Sequence, residues 1–372
     1  MDTDSNNHKL NLCVIGVSSS IHVQRRSLCY AKRGHNVTVI SQVAYEIPGI
    51  NNIHIPCKWG ANKFLIILYV LRLAYTIRRI MPDIVHIHYA GVYELLATYL
   101  AGRPYVVTMI GSDILKQLDS KLSSFKKRVM ILCLKKASLL NSVSDNITNV
   151  VRKYIGARNR IIKVAWGIDH DVFRPLDKPE SRRYFNIGLN RFVVLSPRLL
   201  KPIYNIDTIV NAVALLPKKI DCLLVLCSYN ADAEYKEYLL RLVAAKGLHD
   251  QILILNAIDN EVMPYLYNAA DVSVMVPDSD GMPVSLLEGM ACGVPNIITN
   301  NASYDEIVCH NVSAIYVNIN EQEIADAILR LHDDDMLSSN IVAAAFERVK
   351  KQSNFNDDVV SIENEYYRIA KM

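Results

Sequence analysis

Two consecutive α/β domains, each a doubly wound parallel sheet, are what the sequence predicts. Three observations carry that prediction. The chain has 372 residues, more than one hydrophobic core usually organises. Short apolar runs alternate with stretches of helical spacing, and the runs are nearly continuous, as in strands covered on both faces. The alternation breaks once, at a turn-rich tract with Asp169, Pro175 and Pro179, and resumes at Arg191.

The first series opens with an apolar run at 10–17 (LNLCVIGV) that ends in the small-residue loop Gly16-Val17-Ser18-Ser19-Ser20. A helix follows over 21–33, stopped by Gly34, which tolerates the left-handed backbone of a helix end. A strand at 37–41 (VTVIS) completes a strand–helix–strand unit, and the rhythm continues through strands at 83–88, 105–108 and 138–143. The second series has strands at 192–196, 222–227, 252–255, 272–276 and 296–299, with helices at 206–216, 234–246, 263–269 and 284–291 between them. Ligands of such sheets bind outside the carboxyl ends of the strands, so two domains facing one another put the expected active site in the cleft between them.

Composition narrows the class. With 51% hydrophobic and 21% charged residues, and no low-complexity tract or fixed-period repeat, the chain reads as globular. Its first residues, Met1-Asp2-Thr3-Asp4-Ser5, are polar and acidic, unlike a secretory signal. The longest apolar stretch, 64–71, ends at Arg72 and is too short to span a bilayer. Eight cysteines include no C-x-x-C pair and several lie in apolar runs, which fits buried thiols in a reducing cytoplasm. Charge is uneven: residues 1–180 carry 25 Lys and Arg against 12 Asp and Glu, a net of +13, leaving −9 on the remainder. The first half is therefore expected to meet an anionic partner. No aromatic-basic recognition module accompanies the charge, so lipid headgroups or a phosphorylated acceptor fit better than nucleic acid.

The segment richest in chemistry is Pro277-Asp278-Ser279-Asp280-Gly281-Met282-Pro283-Val284-Ser285-Leu286-Leu287-Glu288, continuing to Pro295. An apolar strand ends in acidic and small residues, and a helix starts near Pro283, a residue favoured in a first turn. Unpaired N–H groups at a helix start beside a glycine form an anion site suited to a diphosphate. Glu288, further along that helix, can accept two vicinal sugar hydroxyls, and Asp280 in the preceding loop can meet a second sugar. Arg198, just after a strand, is placed to clamp a diphosphate bidentately. Alone, Asp280 and Glu288 would read as a helix cap and a solvated charge; the length of the whole string favours a site.

Together these residues resemble the E-x7-E signature of the retaining, GT-B-fold glycosyltransferases of family 4, the glycosyl transferases group 1. In the usual form a Glu comes first, then Gly-Phe-Pro, a Glu on the helix, and Ala-Cys-Gly-x-Pro. Here Asp280 and Met282 replace the first Glu and the Phe, while Glu288 and Cys292-Gly293-Val294-Pro295 match. The resemblance implies two Rossmann-like domains about a central cleft. Residues 1–175 form the acceptor side, with a C-terminal helix at 355–372 packing back on it, and 176–354 bind the nucleotide sugar. It also implies that Asp280 and the backbone of Gly281, Met282, Pro283 and Val284 hold the donor sugar and diphosphate, and that Glu288 holds the ribose hydroxyls. Arg198 matches a phosphate-binding Arg of the family. Tyr204, followed by Asn205, stands where the family has a Lys, so either Lys201 or Tyr204 takes that place.

In the first domain, 18–25 (SSSIHVQR) resembles the loop facing donor phosphates and acceptor, which includes Ser19, Ser20 and His22; the Gly-Gly of many relatives is absent, and the serines supply the close backbone approach instead. Segments 82–88 and 108–113 also match, which adds His88 and Asp113 to that loop; Ile110 stands where many relatives have His or Trp. Segment 166–175 matches the part that closes the first domain. His86 and His88 alternate with Ile87, so both face one side of a strand and one of them is packed; no third ligand has metal spacing. Asp278-Ser279-Asp280 mimics a D-x-D metal motif of another sugar-transferase fold, but its place before the donor helix marks this as coincidence.

The expected activity is hexosyl transfer, with retention and without metal or cofactor, from a nucleotide-diphosphate sugar, UDP favoured over GDP. The expected acceptor is a glycan or lipid-linked precursor of a cell-envelope polysaccharide or glycolipid. The rivals are a small soluble acceptor, a sugar-nucleotide epimerase or hydrolase, and a weakly active binding scaffold. Two basic stretches suggest peripheral contact with an anionic membrane, at the inner face of the cell membrane. In 121–136, Leu122, Phe125, Val129 and Leu132 share helical spacing, with Lys121, Arg128 and Lys135 in another stripe; this is the stronger candidate. The other, 63–79, is more apolar, with Arg72, Thr76 and Arg79 along one side. The alternative for both is a sheet-covering helix with packed lysine stems.

Overall fold

The computed structural model describes residues 9–57, 63–111, 113–114, 117–118, 124–164, 167–280, 283–301 and 303–371. The chain divides into two compact units, Met1–Ala165 with Asp357–Met372, and Trp166–Asn356.

The first unit holds strands β1 (Asn11–Ile15), β2 (Asn36–Ser41), β3 (Asn51–His54), β4 (Ile84–His88), β5 (Tyr105–Met109), β6 (Leu139–Ser142) and β7 (Ile161–Lys163). They pair in parallel in the order β3-β2-β1-β4-β5-β6-β7. Helices α1 (Ile21–Lys32), α2 (Lys63–Ile80), α3 (Val92–Ala101), α4 (Ser124–Lys136) and α5 (Asp145–Ile155) connect them. β4 and β5 are buried along their whole length, as strands covered on both faces must be.

The second unit repeats the plan. Strands β8 (Phe192–Leu199), β9 (Cys222–Cys227), β10 (Ile252–Leu255), β11 (Val272–Met275), β12 (Asn296–Thr299) and β13 (Ile315–Val317) form a parallel sheet in the order β10-β9-β8-β11-β12-β13. Its helices are α6 (Lys178–Tyr184), α7 (Ile206–Ala214), α8 (Ala233–Lys246), α9 (Met263–Ala269), α10 (Val284–Ala291), α11 (Glu321–Asp333) and α12 (Asp335–Gln352). Val194, Leu224, Val274 and Ile297 from four strands join Ile206, Ile209, Leu239 and Ile328 from the helices in one buried cluster. α10 reaches its strand closely because residue 289 is glycine: a Cβ there would lie 2.9 Å from the Asn296 side chain on β12.

Each sheet reverses strand order once, between β1 and β4 and between β8 and β11. These are the topological switch points at which doubly wound sheets take ligands. The tract 167–176 packs with the second unit, so the unit boundary lies ahead of it and not at 175. Asn268 of α9 explains this: its Oδ1 accepts from Leu176 N (2.7 Å) and its Nδ2 donates to the Arg174 carbonyl (3.0 Å). All eight cysteines are outside disulfides. Burial pushes the thiols of Cys13, Cys222 and Cys227 up to about 12.

Helix α13 (Phe355–Ala370) returns to the first unit through Glu363, whose carboxylate takes Arg33 Nε (2.8 Å) and His35 Nε2 (2.8 Å). His35 Nδ1 accepts from Leu10 N (3.2 Å), which leaves the ring hydrogen on Nε2 to donate to Glu363. Burial alone would raise the Glu363 pKa, but hydrogen bonds from Arg33 and His35 outweigh it and hold the carboxyl below its ordinary range. A carboxylate with a lowered folded pKa stabilises fully above its unfolded pKa and loses that contribution as pH falls through the folded value. Glu363→Gln should therefore cost about 1.5–3 kcal/mol at neutral pH, toward the lower end because Arg33 is partly solvent-screened. Denaturant melts should show the deficit shrinking in acid; a constant deficit across pH would assign the loss to packing.

Candidate functional site

At the switch point of the second unit, β8 runs straight into Arg198, and the loop after β11 brings Asp280 to it. Arg198 Nη2 donates to Asp280 Oδ2 (2.7 Å) and Nη1 to Ser285 Oγ (2.9 Å) on the first turn of α10. The Tyr204 ring lies under the guanidinium, 4.3 Å from Cζ, an attractive cation–π placement. Tyr304 donates to the same Asp280 oxygen at 3.4 Å. Burial works against the charge on Arg198, yet Asp280 more than compensates and its pKa is raised. The result is a cation fixed in position, with its planar fork held before any ligand arrives.

The helix beside it starts at Val284, so Pro283 is the capping residue, one position earlier than the first-turn place expected of it. Proline has no side chain that can cap; Leu286 N donates to the Pro283 carbonyl (3.1 Å), and among the described residues the N–H groups of Val284 and Ser285 have no partner and are available for an anion. Gly281 and Met282 lie outside the described residues. Glu288, on the same helix, accepts from Tyr267 Oη at 2.9 Å. The Tyr267 hydroxyl is held well above its ordinary pKa by burial and by Glu288, so it remains a donor that orients the carboxylate.

One expected donor contact is reassigned. Asn205, in a left-handed conformation (φ 50°), donates Nδ2 to the Val276 carbonyl (2.9 Å) and to Asp278 Oδ1 (2.8 Å). Its amide thus ties the turn before α7 to the loop after β11, which carries Asp280. Asp278 is drawn to that tie and Asp280 to Arg198, so the two carboxylates of the D-x-D string have different partners. Lys201 caps the 3-10 turn before Tyr204 and is half-buried; among the described residues its ammonium makes no ion pair or hydrogen bond.

The first unit carries a cavity of about 760 Å³ at its own switch point, lined by Gly16 after β1, Gln42 after β2, His88 and Tyr89 at the end of β4, and Tyr69 and Glu94 from the helices. Gly16 permits the close approach of the β1 loop, since a Cβ there would meet Val23 at 2.9 Å and His88 at 3.3 Å. Ser19 and Ser20 are half-buried in this loop, and Ser20 caps α1 without a side-chain bond. His22 is half-buried; burial, with Arg25 and Arg26, lowers its pKa to about 4. His86 is the packed histidine of the pair. Its Nδ1 meets Tyr366 Oη, its Nε2 meets Thr108 Oγ1 (2.7 Å), and burial and Arg26 lower its pKa to about 3. The His88 ring lies 4.2 Å from it, tilted by 40°, lines the cavity, and has its pKa lowered well below the ordinary value by burial. Both rings are neutral at physiological pH.

Asp113 is corrected from a phosphate or acceptor contact to a loop organiser. It is fully buried, accepting from Gly111 N (2.7 Å), Ile110 N (3.1 Å) and Ala90 N (2.9 Å). Its two oxygens are consumed in joining the loops after β4 and β5. The sequence reading missed Glu94, Tyr69 and Gln42. Tyr69 Oη donates to Glu94 Oε1 (2.8 Å) and Gln42 Nε2 donates to both. Burial pushes the Glu94 carboxyl upward against these bonds. A lone acid inside the apolar helix VYELLATYLA was the available signal. Ser285, Tyr267 and Tyr304 were also missed; only Ser285 lay inside the conspicuous string.

Two doubly wound parallel sheets, each with its polar constellation at the switch point, define a GT-B glycosyltransferase. The description Glycosyl transferases group 1 matches residues 177–348, and Glycosyl transferase 4-like matches residues 11–144. The chain belongs to this glycosyltransferase family. It is 24% identical over 298 residues to N-acetyl-alpha-D-glucosaminyl L-malate synthase of Bacillus anthracis, covering 78% of this chain and 75% of that protein. Over 197 residues, half of each chain (50% and 50%), it is 29% identical to a GDP-mannose-dependent alpha-(1-6)-phosphatidylinositol monomannoside mannosyltransferase of Mycobacterium tuberculosis. The fold is shared with HepE of Anabaena, solved with UDP and glucose, at TM-score 0.80 and 17% identity over 96% of this chain and 99% of that one.

Proposed function

We propose that the protein moves a hexose, with retention of configuration, from a nucleotide-diphosphate sugar to a glycan or lipid-linked acceptor used in cell-envelope synthesis. The observation that carries this reading is the prearranged Arg198, fixed by Asp280, Ser285 and Tyr204 beside the uncapped start of α10. Cleavage of the bond between the anomeric carbon and the diphosphate oxygen leaves negative charge on the diphosphate. Arg198 and the α10 N–H groups would stabilise that charge, with Lys201, in the turn after β8, as a second cation. Neutralisation by these groups lets the reaction proceed without a metal ion. Retention follows if the leaving phosphate takes the acceptor proton on the face it departs from. Glu288 would hold the ribose, and the cavity with Glu94, Tyr69 and His88 would hold the acceptor. Of the bases, uridine is favoured, in line with the UDP bound to HepE; the mannosyltransferase relative keeps GDP in the comparison. That relative is named for a phosphatidylinositol monomannoside, which supports a lipid-linked acceptor here, and with it work at the inner face of the cell membrane.

A panel of UDP- and GDP-hexoses, read by mass spectrometry of the acceptor product, tests this. Sugar should appear on acceptor from a UDP donor, with the product anomer matching the donor anomer by NMR. Release of free sugar at the same rate with and without acceptor would make the protein a hydrolase. Activity should survive EDTA; its loss, with recovery in manganese, would overturn the metal-independent step.

A further inference from the structure

The structure shows an apolar surface on α2 that folding does not bury. Its inward face packs Tyr69, Val70, Leu73, Ala74 and Ile77. Its outward face presents Phe64, Leu68, Leu71 and Tyr75, a ridge spaced for one side of a helix, with Phe64 68% and Tyr75 65% exposed. Leu65 and Ile67 widen it. The neighbouring α4 behaves likewise: it buries Met130, Cys133 and Leu134, while Phe125 is 74% exposed and Leu132 is exposed. Phe125 and Leu132, expected from spacing to define one stripe of that helix, therefore face water. Both helices pack against α3. A contiguous exposed patch of large apolar side chains marks an interaction surface.

Charge decides which partner fits. α2 carries Lys63, Arg72, Arg78 and Arg79, α4 carries Lys126, Lys127, Arg128, Lys135 and Lys136, and neither helix has an acidic residue. A second copy docking on this face would bring like charges together. An anionic bilayer complements it, accepting the apolar ridge at the acyl boundary and the cations at the headgroups. The same two helices build the cavity wall, α2 through Ile66 and Tyr69 and α4 through Lys126. Among the described residues, no helix is long and apolar enough to cross a membrane.

We propose that the α2 ridge inserts into the surface of an anionic membrane, so that an acceptor sugar on a lipid carrier enters the cavity past Ile66 and Tyr69. This rests on reading the cavity as the acceptor site. It makes α2 the inserting element and α4 its basic flank, the reverse of the weight that charge alone assigned.

The test uses the full chain and vesicles of phosphatidylglycerol or of phosphatidylcholine alone. The protein should co-sediment with the first and not the second. Changing Phe64, Leu68, Leu71 and Tyr75 to serine should weaken that binding by more than about tenfold. Changing Arg128, Lys135 and Lys136 to glutamate should abolish the salt-sensitive part. Transfer to a water-soluble acceptor analogue should be unchanged in the serine variant, while transfer to a lipid-carried acceptor in vesicles falls at least about tenfold. Equal, negligible binding to both vesicles would overturn the proposal, as would a dimer in sedimentation velocity that the serine variant dissolves. The acceptor reading fails separately: Glu94→Gln would then leave the KM for the soluble analogue unchanged, whatever the vesicles show.

Discussion

Arg198→Ala is expected to lower turnover by about 10²–10³, the loss typical of removing one preorganised stabiliser of transition-state charge. The complication is that Arg198 also neutralises Asp280, a largely buried carboxylate 2.7 Å away. Removing the cation takes away the ion-pair partner of that anion while Tyr304 still donates to it, and breaking a buried ion pair by removing one partner destabilises by about 3–5 kcal/mol. A simple loss of activity would thus not separate chemistry from folding. The double change Arg198→Ala with Asp280→Asn does separate them, since it removes both charges. Its melting midpoint should return toward that of the parent, while turnover stays down. If turnover recovered with stability, Arg198 would be a structural partner of Asp280 and not a contact of the leaving group. Lys201→Ala should cost less than Arg198→Ala, because among the described residues no ion pair or side-chain hydrogen bond holds the Lys201 ammonium in place. The opposite ranking would move the phosphate clamp from the end of β8 to the following turn.

Much of the fold was legible because parallel strands buried on both faces leave unbroken apolar runs. β9, β10 and β12 lie at the predicted residues, and β8 and β11 differ only at their ends. The edge strands β3 (NNIH), β7 (IIK) and β13 (IYV) left no such trace, being three or four residues long and, in β3 and β7, broken by polar residues; the fourth edge strand, β10 (ILIL), is equally short but apolar throughout. Candidate site residues were conspicuous where several chemically demanding positions stood close together, as from Asp280 to Glu288. Function spread across distant segments was not. Tyr267 reaches Glu288 from another helix, Tyr304 reaches Asp280 from beyond β12, and Tyr69 meets Glu94 across a helix pair. Two of the differences share one form: polar residues beside the motifs, Asn205 and Asp113, were expected to touch ligand and instead hold loops in shape. Spacing gives the position of such a residue, but only tertiary structure shows whether its polar atoms are already spent on backbone groups.

Glu288→Ala should weaken nucleotide-sugar binding by at least roughly tenfold. The carboxylate is expected to accept two hydrogen bonds from the ribose, and bonds to a charged acceptor contribute about 1.5–3 kcal/mol each. Tyr267 sets the geometry: its buried hydroxyl donates to Oε2 of the half-buried carboxylate at 2.9 Å and fixes its orientation. Tyr267→Phe should therefore lose affinity too, but by a smaller factor, because the ribose contacts survive with looser orientation. Calorimetry with two ligands makes the test specific. With an ordinary nucleotide the Glu288→Ala penalty should be full; with a 2′,3′-dideoxy nucleotide it should disappear, since the partner hydroxyls are gone. A penalty of equal size on both ligands would mean that Glu288 supports the shape of α10 and does not touch the ribose. No penalty on either, in a folded variant, would remove it from the donor site.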